Sequence, residues 1–393
     1  MRLLARLATA ALLTVPPVAA GTAAAAAPEP TPAPLVTTAN AIPGSYIVTL
    51  AASADPAEIA ESVGVRAKFT YETALNGFAA TLTDRQLKAV RETRGVQSVT
   101  QDAMVTGPPA PANGVMTKAP ATTWGLDRID QRLLPLDNAY SPNTNGQGVA
   151  AFIVDSGIDF THPEFAGRAL RGFDAIGDGR NGQDCHGHGT HVAGTVGGTN
   201  VGVAHKVTLV SVRVLGCDNR GSWSGIIAGL DWVATNARQP AVLNASLGGD
   251  RIEAVNNATA AVFDRGVLPV VAAGNENRDA RLVSPASTPN AVTVGATNRF
   301  DQETDFSNWG EALDLYAPGQ DIVSARLGGG LVSLDGTSMA APHVTGVAAL
   351  YKAAHPSARP AEVANFLKNE ATEDVVQNLS DNGPDKLLFT GGL

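Results

Sequence analysis

The chain has 393 residues, of which 44% are hydrophobic and only 5% aromatic, so it is long enough for one large domain and a smaller one. Its formal net charge is -9 and it has no cluster of basic residues, which excludes nucleic acids and membrane surfaces as expected partners. The 41 glycines and 24 prolines, spread through apolar runs, favour an α/β fold with many tight turns over a helical bundle.

The first residues are typical of a secretory signal peptide. Basic residues precede an apolar run from Leu7 to Ala20, and small residues follow. The alternative is a membrane anchor, but Pro16 and Pro17 interrupt the run, and no later segment has the ~18 unbroken apolar residues of a spanning helix. We therefore expect residues 1–27 to be removed and the protein to be secreted, extracellular and without a membrane partner.

Two low-complexity stretches enclose a short patterned region. Residues 28–43 are rich in Ala, Pro and Thr and predict a linker. Residues 44–106 have the order βαββαβ, with a turn at Asn76-Gly77 and a capped helix after Thr83, which describes a small ferredoxin-like α+β domain. Residues 107–123 are again rich in Pro, Ala and Gly, and we interpret them as an exposed linker that contains a processing site.

We predict that residues 124–393 form the main domain of the chain. Apolar runs typical of buried strands alternate there with helical stretches, which predicts a three-layer α/β fold with a parallel central sheet flanked by helices. The strands are predicted at Val149 to Val154, Val207 to Val214, Val242 to Leu247, Val267 to Ala273 and Ala291 to Ala296, and the helices at Ser224 to Ala237, Ile252 to Arg265 and Ser338 to Ala354.

Three polar residues of this domain have positions suited to nucleophilic catalysis. Asp155 follows a buried strand, at the edge where active sites of open α/β folds form. His188 begins a helix in a glycine-rich stretch, and Ser338 lies at the amino end of an apolar helix, where unpaired N–H groups favour an oxyanion. Asn275, after another buried strand, is the candidate for a second oxyanion donor.

Each of these residues also has an ordinary structural interpretation. The carboxylate and the amide suit turns, and the hydroxyl suits a helix N-cap. His186, His188 and His191 would suit a metal, although no HExxH spacing is present. The alternatives to nucleophilic catalysis by Ser338 are therefore a zinc hydrolase, and an inactive binding or inhibitory protein on an enzyme scaffold.

The only two cysteines, Cys185 and Cys217, exclude a fold built on disulfides. In an oxidising compartment they would form a single bridge. The alternative is a pair of buried free thiols.

Taken in order, Asp155, His188 and Ser338 have the Asp-His-Ser arrangement of subtilisin. The chain resembles the subtilisin-like serine proteases (S8 family), in particular the proteinase K and aqualysin branch, from residue 124 to the end. Residues 44–106 resemble the I9-type inhibitory propeptides of such enzymes. The resemblance rests on Trp124-Gly125-Leu126-Asp127-Arg128-Ile129-Asp130-Gln131, Val154-Asp155-Ser156-Gly157-Ile158, His188-Gly189-Thr190-His191, Ala273-Gly274-Asn275 and Gly336-Thr337-Ser338-Met339-Ala340.

The resemblance implies a three-layer subtilisin-like fold and a secreted, monomeric serine endopeptidase acting on polypeptides through an acyl-enzyme. Ser338 would attack the scissile carbonyl, His188 would accept its proton, and Asp155 would hold the imidazolium. Asn275 and the Ser338 N–H would bind the oxyanion. The chain's own propeptide would occupy the cleft as an intramolecular inhibitor until it is removed.

The resemblance also implies how substrate binds. Substrate would add as a strand between two segments, and small uncharged walls of the first pocket would accept bulky apolar side chains with otherwise broad specificity. The segments are Gly221, Ser222, Trp223 and Ser246, Leu247, Gly248, and the pocket walls are Ser246, Leu247, Gly248 and Ala272, Ala273, Gly274.

Structural calcium is implied by relatives, at the Asp314 carboxylate and the carbonyls of Pro289 and Ala291. A second calcium site is implied at Asp127, Asp130, Gln131 and Asp137, where solvated surface carboxylates are the alternative. Cys185 and Cys217 match a bridge of the aqualysin branch, whose second bridge is missing here because Arg281 and Ala312 stand in those places.

Overall fold

The computed structural model describes residues 31–107, 122–380 and 382–393. The predicted signal peptide at residues 1–27 and most of the predicted processing linker lie outside these ranges. Within the described ranges, no helix has the length and apolar character needed to cross a bilayer.

The N-terminal region, residues 33–107, is a small sheet with two helices. Its elements are β1 Leu35–Val36, β2 Ala41–Leu50, α1 Pro56–Ser62, β3 Phe69–Tyr71, β4 Gly77–Thr81, α2 Asp84–Glu92 and β5 Val96–Thr106. The strands lie in the order β1-β5-β2-β4-β3. From β2 onward this is the predicted βαββαβ order.

Alternation along β2 gives this sheet two buried faces. Val48 packs with Ile59 and Val90 of the two helices, whereas its neighbour Ile47 belongs to an apolar cluster that includes residues of the C-terminal region. One face of the sheet therefore packs against α1 and α2, and the other face packs against the C-terminal region.

Two local predictions for this region differ from the structure. Leu35–Val36 lies in the segment predicted as a linker but forms β1, which pairs in parallel with β5. The turn predicted at Asn76-Gly77 is a longer connection, because β4 begins at Gly77 and the Asn76 amide donates to the carbonyl oxygens of Ala51 and Ala54 at 2.7 and 2.8 Å. This side-chain anchoring gives no periodic signal in the sequence.

The C-terminal region, residues 122–393, contains the elements of an α/β protein. Its first half contains α3 Trp124–Ile129, β6 Ala150–Asp155, β7 Ala169–Asp174, α4 His188–Gly197, β8 Thr208–Arg213, β9 Arg220–Ser222, α5 Trp223–Asn236, β10 Ala241–Ala245, β11 Gly249–Asp250, α6 Glu253–Asp264 and β12 Leu268–Ala272. Its second half contains β13 Val283–Ser284, β14 Val292–Thr297, β15 Leu315–Pro318, β16 Ile322–Ala325, β17 Leu331–Leu334, α7 Thr337–Ala354, α8 Pro360–Glu370, β18 Thr372–Glu373 and β19 Lys386–Leu387.

A nine-stranded sheet in the order β18-β19-β15-β14-β12-β10-β6-β8-β7 forms the centre of this region. Every neighbouring pair from β19 to β7 is parallel. Along β6, Ile153 packs in a cluster with α4 and α7, whereas Val154 packs in a cluster with α5 and α6. The predicted three-layer fold is confirmed, and its central strands β6, β10 and β12 are largely apolar and buried because helices cover both faces.

Candidate active site

Asp155 and His188 form a hydrogen-bonded pair at the carboxyl edge of the nine-stranded sheet. Asp155 is the last residue of β6, and both side chains are buried. His188 Nδ1 lies 2.8 Å from Asp155 Oδ1 and 3.0 Å from Oδ2. Oδ1 also accepts a hydrogen bond of 2.7 Å from the Ser156 N–H. The fold thus brings these two predicted residues into direct contact.

His188 is the first residue of α4, and glycines allow it to approach Asp155. Gly187 has φ +108°, in the left-handed region that favours glycine. A Cβ on Gly189 would collide with the carbonyl oxygen of Gly157 and lie 3.1 Å from Asp155 Oδ1. The glycine-rich sequence therefore serves the close packing of α4 against the end of β6.

The surroundings of His188 make it a stronger base. Burial lowers the pKa of the imidazole, but the charge and hydrogen bond of Asp155, together with the charge of Asp184, outweigh it, so the pKa of His188 is raised above its ordinary value. In the described part of the chain, His188 Nε2 has no hydrogen-bond partner. The ring therefore presents one nitrogen to the carboxylate and leaves the other without a partner in the described residues.

Ser338 lies at the amino end of α7 and is held at the same edge of the sheet. Ser246 follows β10, the strand next to β6, and the Ser246 hydroxyl donates to the Ser338 carbonyl oxygen at 2.8 Å. The Ser338 hydroxyl donates to the Ser246 carbonyl oxygen at 3.3 Å rather than to His188. As the second residue of α7, Ser338 has a backbone N–H without a partner inside the helix.

The Asn275 amide is fixed by a residue that sequence reasoning did not single out. Thr337 donates to Asn275 Oδ1 from its N–H at 2.8 Å and from its hydroxyl at 2.9 Å. With Oδ1 occupied by two donors, Nδ2 is left as the outward donor beside the first turn of α7. Only the position of Thr337, directly before Ser338, would have indicated it.

The end of the N-terminal region lies along one of the two predicted substrate segments. β5 pairs antiparallel with β9, in the register Met104 to Ser222 and Val105 to Gly221. Beyond β5, the Gly107 N–H donates to the Asn219 carbonyl oxygen at 2.8 Å. Trp223, predicted as the third residue of this segment, begins α5 instead, and its buried ring belongs to the same apolar cluster as Val105.

A cavity of about 280 Å³ lies next to Ser338 and the end of β5. It is lined by five of the six predicted pocket-wall residues, namely Ser246, Leu247, Gly248, Ala272 and Gly274, together with Thr106, Gly107, Asn275, Glu276, Val283, Thr337 and Ser338. The sixth, Ala273, is fully buried behind the wall. Small residues thus line this cavity.

Glu276 is a charged lining residue that the sequence analysis missed. Its Oε2 accepts hydrogen bonds from the Asn275 N–H at 3.1 Å and the Asn308 amide at 2.9 Å. The side chain is 55% exposed at the mouth of the cavity, and its Oε2 lies 3.8 Å from Arg278 Nε, which offsets part of its charge. Its place directly after Asn275 was the available signal, because residues that follow a strand at this edge surround the site.

Carboxylates and a tyrosine hold the N-terminal region on helix α5. Asp231 Oδ1 accepts hydrogen bonds from three successive backbone N–H groups of residues 72–74, at 3.2, 2.8 and 2.7 Å. At the start of α5, Asp102 accepts from the Ser224 N–H at 3.0 Å and from its hydroxyl at 2.6 Å. The Tyr71 hydroxyl donates to the Ser224 carbonyl oxygen at 2.9 Å. These contacts position β5 beside β9.

The three histidines do not converge as metal ligands. His191 Nε2 lies 3.0 and 3.1 Å from the carbonyl oxygens of Ile322 and Val332, so it serves packing between segments. The ring centroids of His186 and His188 are 6.5 Å apart. In the described ranges, no group of three potential ligands includes a histidine. This arrangement gives the zinc alternative no support.

Cys185 and Cys217 form a disulfide, which ties the loop before α4 to the loop before β9. The buried Arg213 donates to Cys185 Sγ at 3.3 Å and pairs with Asp178 at 2.6 Å. The bridge therefore joins the segment that carries His188 to the segment that pairs with β5.

The residues predicted to bind calcium are placed differently at the two sites. Asp314 precedes β15, and its Oδ2 accepts from the Thr293 N–H at 2.9 Å while its Oδ1 pairs with the Lys368 ammonium at 3.2 Å. Pro289 and Ala291 lie in the turn before β14, the neighbouring strand. Lys368, whose side chain is 36% exposed, pairs with this carboxylate, but burial still raises the pKa of Asp314, and calcium at this site stays a prediction.

The loop after α3 carries uncompensated negative charge. Asp127 accepts from the N–H groups of Asp137 and Asn138 at 3.2 and 2.8 Å, and the Asp137 N–H also donates to Gln131 Oε1 at 3.2 Å. Burial, with the charges of Asp137 and Asp127, raises the pKa of Asp130 to about 6. Carboxylates that repel one another in this way fit a cation.

The fold and this edge of the sheet define a class of protein: α/β hydrolytic enzymes with a serine on a buried helix and an aspartate–histidine pair after a central strand. The chain belongs to the subtilase family, because the family model described as Peptidase S8, Subtilase family, matches residues 146–390. The model for Peptidase inhibitor I9 matches residues 45–107. The chain is therefore a subtilisin-like serine protease that carries an inhibitor I9 region.

Individual serine proteases are also similar to this chain in sequence and in structure. An extracellular serine proteinase of Thermus sp. (strain Rt41A) is 45% identical over 378 residues, which cover 89% of this chain and 90% of the relative. A cuticle-degrading protease of Metarhizium anisopliae is 39% identical, over 97% of this chain and 99% of the relative. The crystal structure of a cold-adapted subtilisin-like serine proteinase aligns with a TM-score of 0.68 and 47% identity, over 69% of this chain and 99% of that structure.

Proposed function

We propose that the chain is the precursor of a secreted endopeptidase in which Ser338 is the nucleophile, His188 the general base and Asp155 its partner. One observation carries these assignments. The Asp155–His188 hydrogen bond leaves Nε2 without a partner in the described residues, at the sheet edge where Ser246 holds the amino end of α7. Strands that neighbour each other in a sheet lie about 4.8 Å apart, so the groups that follow β6 and β10 are close.

The proposed reaction begins when the Ser338 hydroxyl rotates from the Ser246 carbonyl oxygen toward His188 Nε2. Its oxygen attacks the scissile carbonyl carbon as Nε2 takes the proton, and Asp155 stabilises the imidazolium that forms. His188 then gives this proton to the leaving amine, and the C–N bond breaks to leave an acyl-enzyme. Water attacks the acyl group by the same route and restores the hydroxyl of Ser338.

Asn275 Nδ2 and the Ser338 N–H are the proposed donors to the oxyanion of each tetrahedral intermediate. The two hydrogen bonds from Thr337 to Asn275 Oδ1 support this role, because they orient the amide before substrate binds. Donors that need no reorganisation stabilise developing charge most effectively.

Covalent labelling tests this function. A fluorophosphonate should phosphonylate the purified mature enzyme at a single site, with loss of fluoride, and peptide mapping should place the label on Ser338, with no label on the Ser338→Ala variant. An inactive binding protein on the same scaffold would leave wild type unlabelled and without peptidase activity. A zinc hydrolase would be inhibited by chelators but not by the fluorophosphonate.

We propose that residues 44–106 act as the inhibitory propeptide and residues 124–393 as the peptidase domain, with cleavage inside 107–123. The pairing of β5 with β9 supports inhibition, because a strand in that position excludes a substrate strand. Secretion, with residues 1–27 as the signal peptide, is supported by the Thermus relative, which is described as extracellular.

We propose broad specificity with a preference for bulky apolar residues before the cut, modified by Glu276. The small and apolar residues that line the 280 Å³ cavity support the preference for apolar side chains. The exposed Glu276 carboxylate at its mouth adds attraction for a lysine or arginine side chain.

Glu276→Gln is therefore expected to lower kcat/KM roughly 3- to 10-fold for peptides with Lys before the cut and to leave matched Phe peptides unchanged, because an exposed charge contributes only a modest attraction. The measurement is kcat/KM on paired chromogenic peptides. Glu253→Gln, which removes an exposed carboxylate from α6, is the control. An equal change for Lys and Phe peptides would show that Glu276 acts on structure rather than on charge.

We propose that calcium is held by the loop of Asp127, Asp130 and Asp137, where it would neutralise the repelling carboxylates and stabilise the fold. At a calcium concentration about 100 times the dissociation constant, the melting temperature of the mature enzyme should rise by roughly 5 to 10 °C. Asp130→Asn should remove this rise and Asp314→Asn should keep it, as measured by calorimetry after chelation and calcium addition. The reverse pattern would place the ion at Asp314.

A further inference from the structure

Asp184 is a buried carboxylate with five hydrogen-bond donors and no part in the reaction described above. The residue is 3% exposed. Its Oδ1 accepts from the Ser156 hydroxyl at 3.0 Å and from the N–H groups of His186 and Gly187 at 2.9 and 3.0 Å. Its Oδ2 accepts from the N–H of Thr190 at 3.0 Å and from the Thr190 hydroxyl at 2.6 Å.

These donors belong to the two elements that carry Asp155 and His188. Ser156 is the residue after Asp155, and its hydroxyl accepts in turn from the Gly189 N–H at 3.0 Å. The remaining donors come from the residues that lead into α4 and from its first turn. Asp184 therefore ties the end of β6 to the start of α4 at the point where the carboxylate and the imidazole meet.

The hydrogen bonds hold the Asp184 carboxylate in one position beside the start of α4. Three donors are backbone N–H groups, and with the two hydroxyls they reach both carboxylate oxygens. Although burial lowers the pKa of His188, the charge of Asp184, held in this position, adds to that of Asp155 in raising it.

We propose that Asp184 is a positioning residue for catalysis: it holds His188 against Asp155 and supplies a second negative charge for the imidazolium that forms when Ser338 loses its proton. This inference rests on the proposed roles of Asp155, His188 and Ser338. Asp184 touches neither the substrate nor the reacting atoms, and it acts entirely through the histidine.

Two other titratable groups, His186 and His191, face His188. His186 lies with its ring centroid 6.5 Å from that of His188, and burial followed by the charge of His188 lowers its pKa. His191, on the same helix, has its pKa lowered to about 3 by burial and then by His188, so it is neutral at working pH. Near neutrality, the net field on the imidazolium therefore comes from Asp155 and Asp184.

The test is the pH dependence of the mature Asp184→Asn enzyme on a chromogenic peptide. The acid limb of kcat/KM reports the pKa of the base, so loss of the negative charge should move this limb to lower pH, by about 0.5 to 1 unit. Misplacement of His188 should lower kcat about 10- to 100-fold and leave KM within about 2-fold. Asp159→Asn, which removes another buried aspartate, bonded to Thr161 and Gly328, should leave the acid limb in place.

A second pair of variants decides the question if Asp184→Asn does not fold. Thr190→Val removes the 2.6 Å donor to Asp184 and should lower kcat, and Thr190→Ser should restore it. Wild-type kcat and acid limb in Asp184→Asn, or equal kcat in Thr190→Val and Thr190→Ser, would overturn the proposal. The proposed function would survive either result as long as Ser338→Ala stays inactive and unlabelled.

Discussion

Ser338→Ala is expected to lower kcat/KM on a peptide substrate by at least about 10⁴-fold, because the acyl-enzyme of the proposed reaction forms on the Ser338 hydroxyl. The same variant is expected to accumulate as a precursor that keeps its N-terminal region, since maturation would depend on the chain's own activity. Intact mass and amino-terminal sequencing of the protein from a protease-deficient host measure the second effect directly.

The contacts of the N-terminal region explain why the uncut precursor should be stable. β5 pairs with β9, Asp102 accepts from Ser224, and Asp231 binds three backbone N–H groups, all without any role for the Ser338 hydroxyl. The matched control is Ser333→Ala, an exposed serine of β17, which should mature and cleave like wild type. A Ser338→Ala chain that processes itself at the wild-type rate would remove Ser338 from the mechanism.

The sheet and its catalytic candidates were accessible to prediction because their physical signals are local. A strand covered on both faces is continuously apolar, which located β6, β10 and β12 to within about two residues. Asp155 ends such a strand, Asn275 follows another, and Ser338 lies at the amino end of an apolar helix, so their places at the ends of predicted elements marked them as candidates. The order of the three candidates then separated this fold from other hydrolases.

The positioning residues were missed because hydrogen bonds between distant side chains and backbone leave no pattern in the sequence. Thr337 and Asp184 look like ordinary cap residues until the structure shows which atoms they bind. Asp231 is likewise one polar residue on a helix, although it holds a loop about 160 residues away. The resemblance gave no sign that Lys368 of α8 would pair with Asp314, because such a pairing depends on the tertiary fold.

Asn275→Ala is expected to lower kcat about 10²- to 10³-fold and to change KM little, because the lost donor acts on charge that develops only in the transition state. Asn275→Asp should be at least as damaging. Its Oδ1 could still accept from Thr337 at the 2.8 and 2.9 Å positions, but a second carboxylate oxygen would then face the oxyanion in place of Nδ2. Steady-state kinetics on one peptide separate kcat from KM.

Thr337 provides the matched comparison for this prediction. Thr337→Ala removes the hydroxyl that donates to Asn275 Oδ1 and that accepts from the Gly274 N–H at 3.1 Å, so the amide should lose part of its orientation. A fall in kcat of roughly 10-fold is expected, with recovery in Thr337→Ser, because one of the two donors that hold the amide remains. If Asn275→Ala kept wild-type kcat, the oxyanion would be bound elsewhere, and the hydrogen bonds from Thr337 to Asn275 would serve only to join α7 to the end of β12.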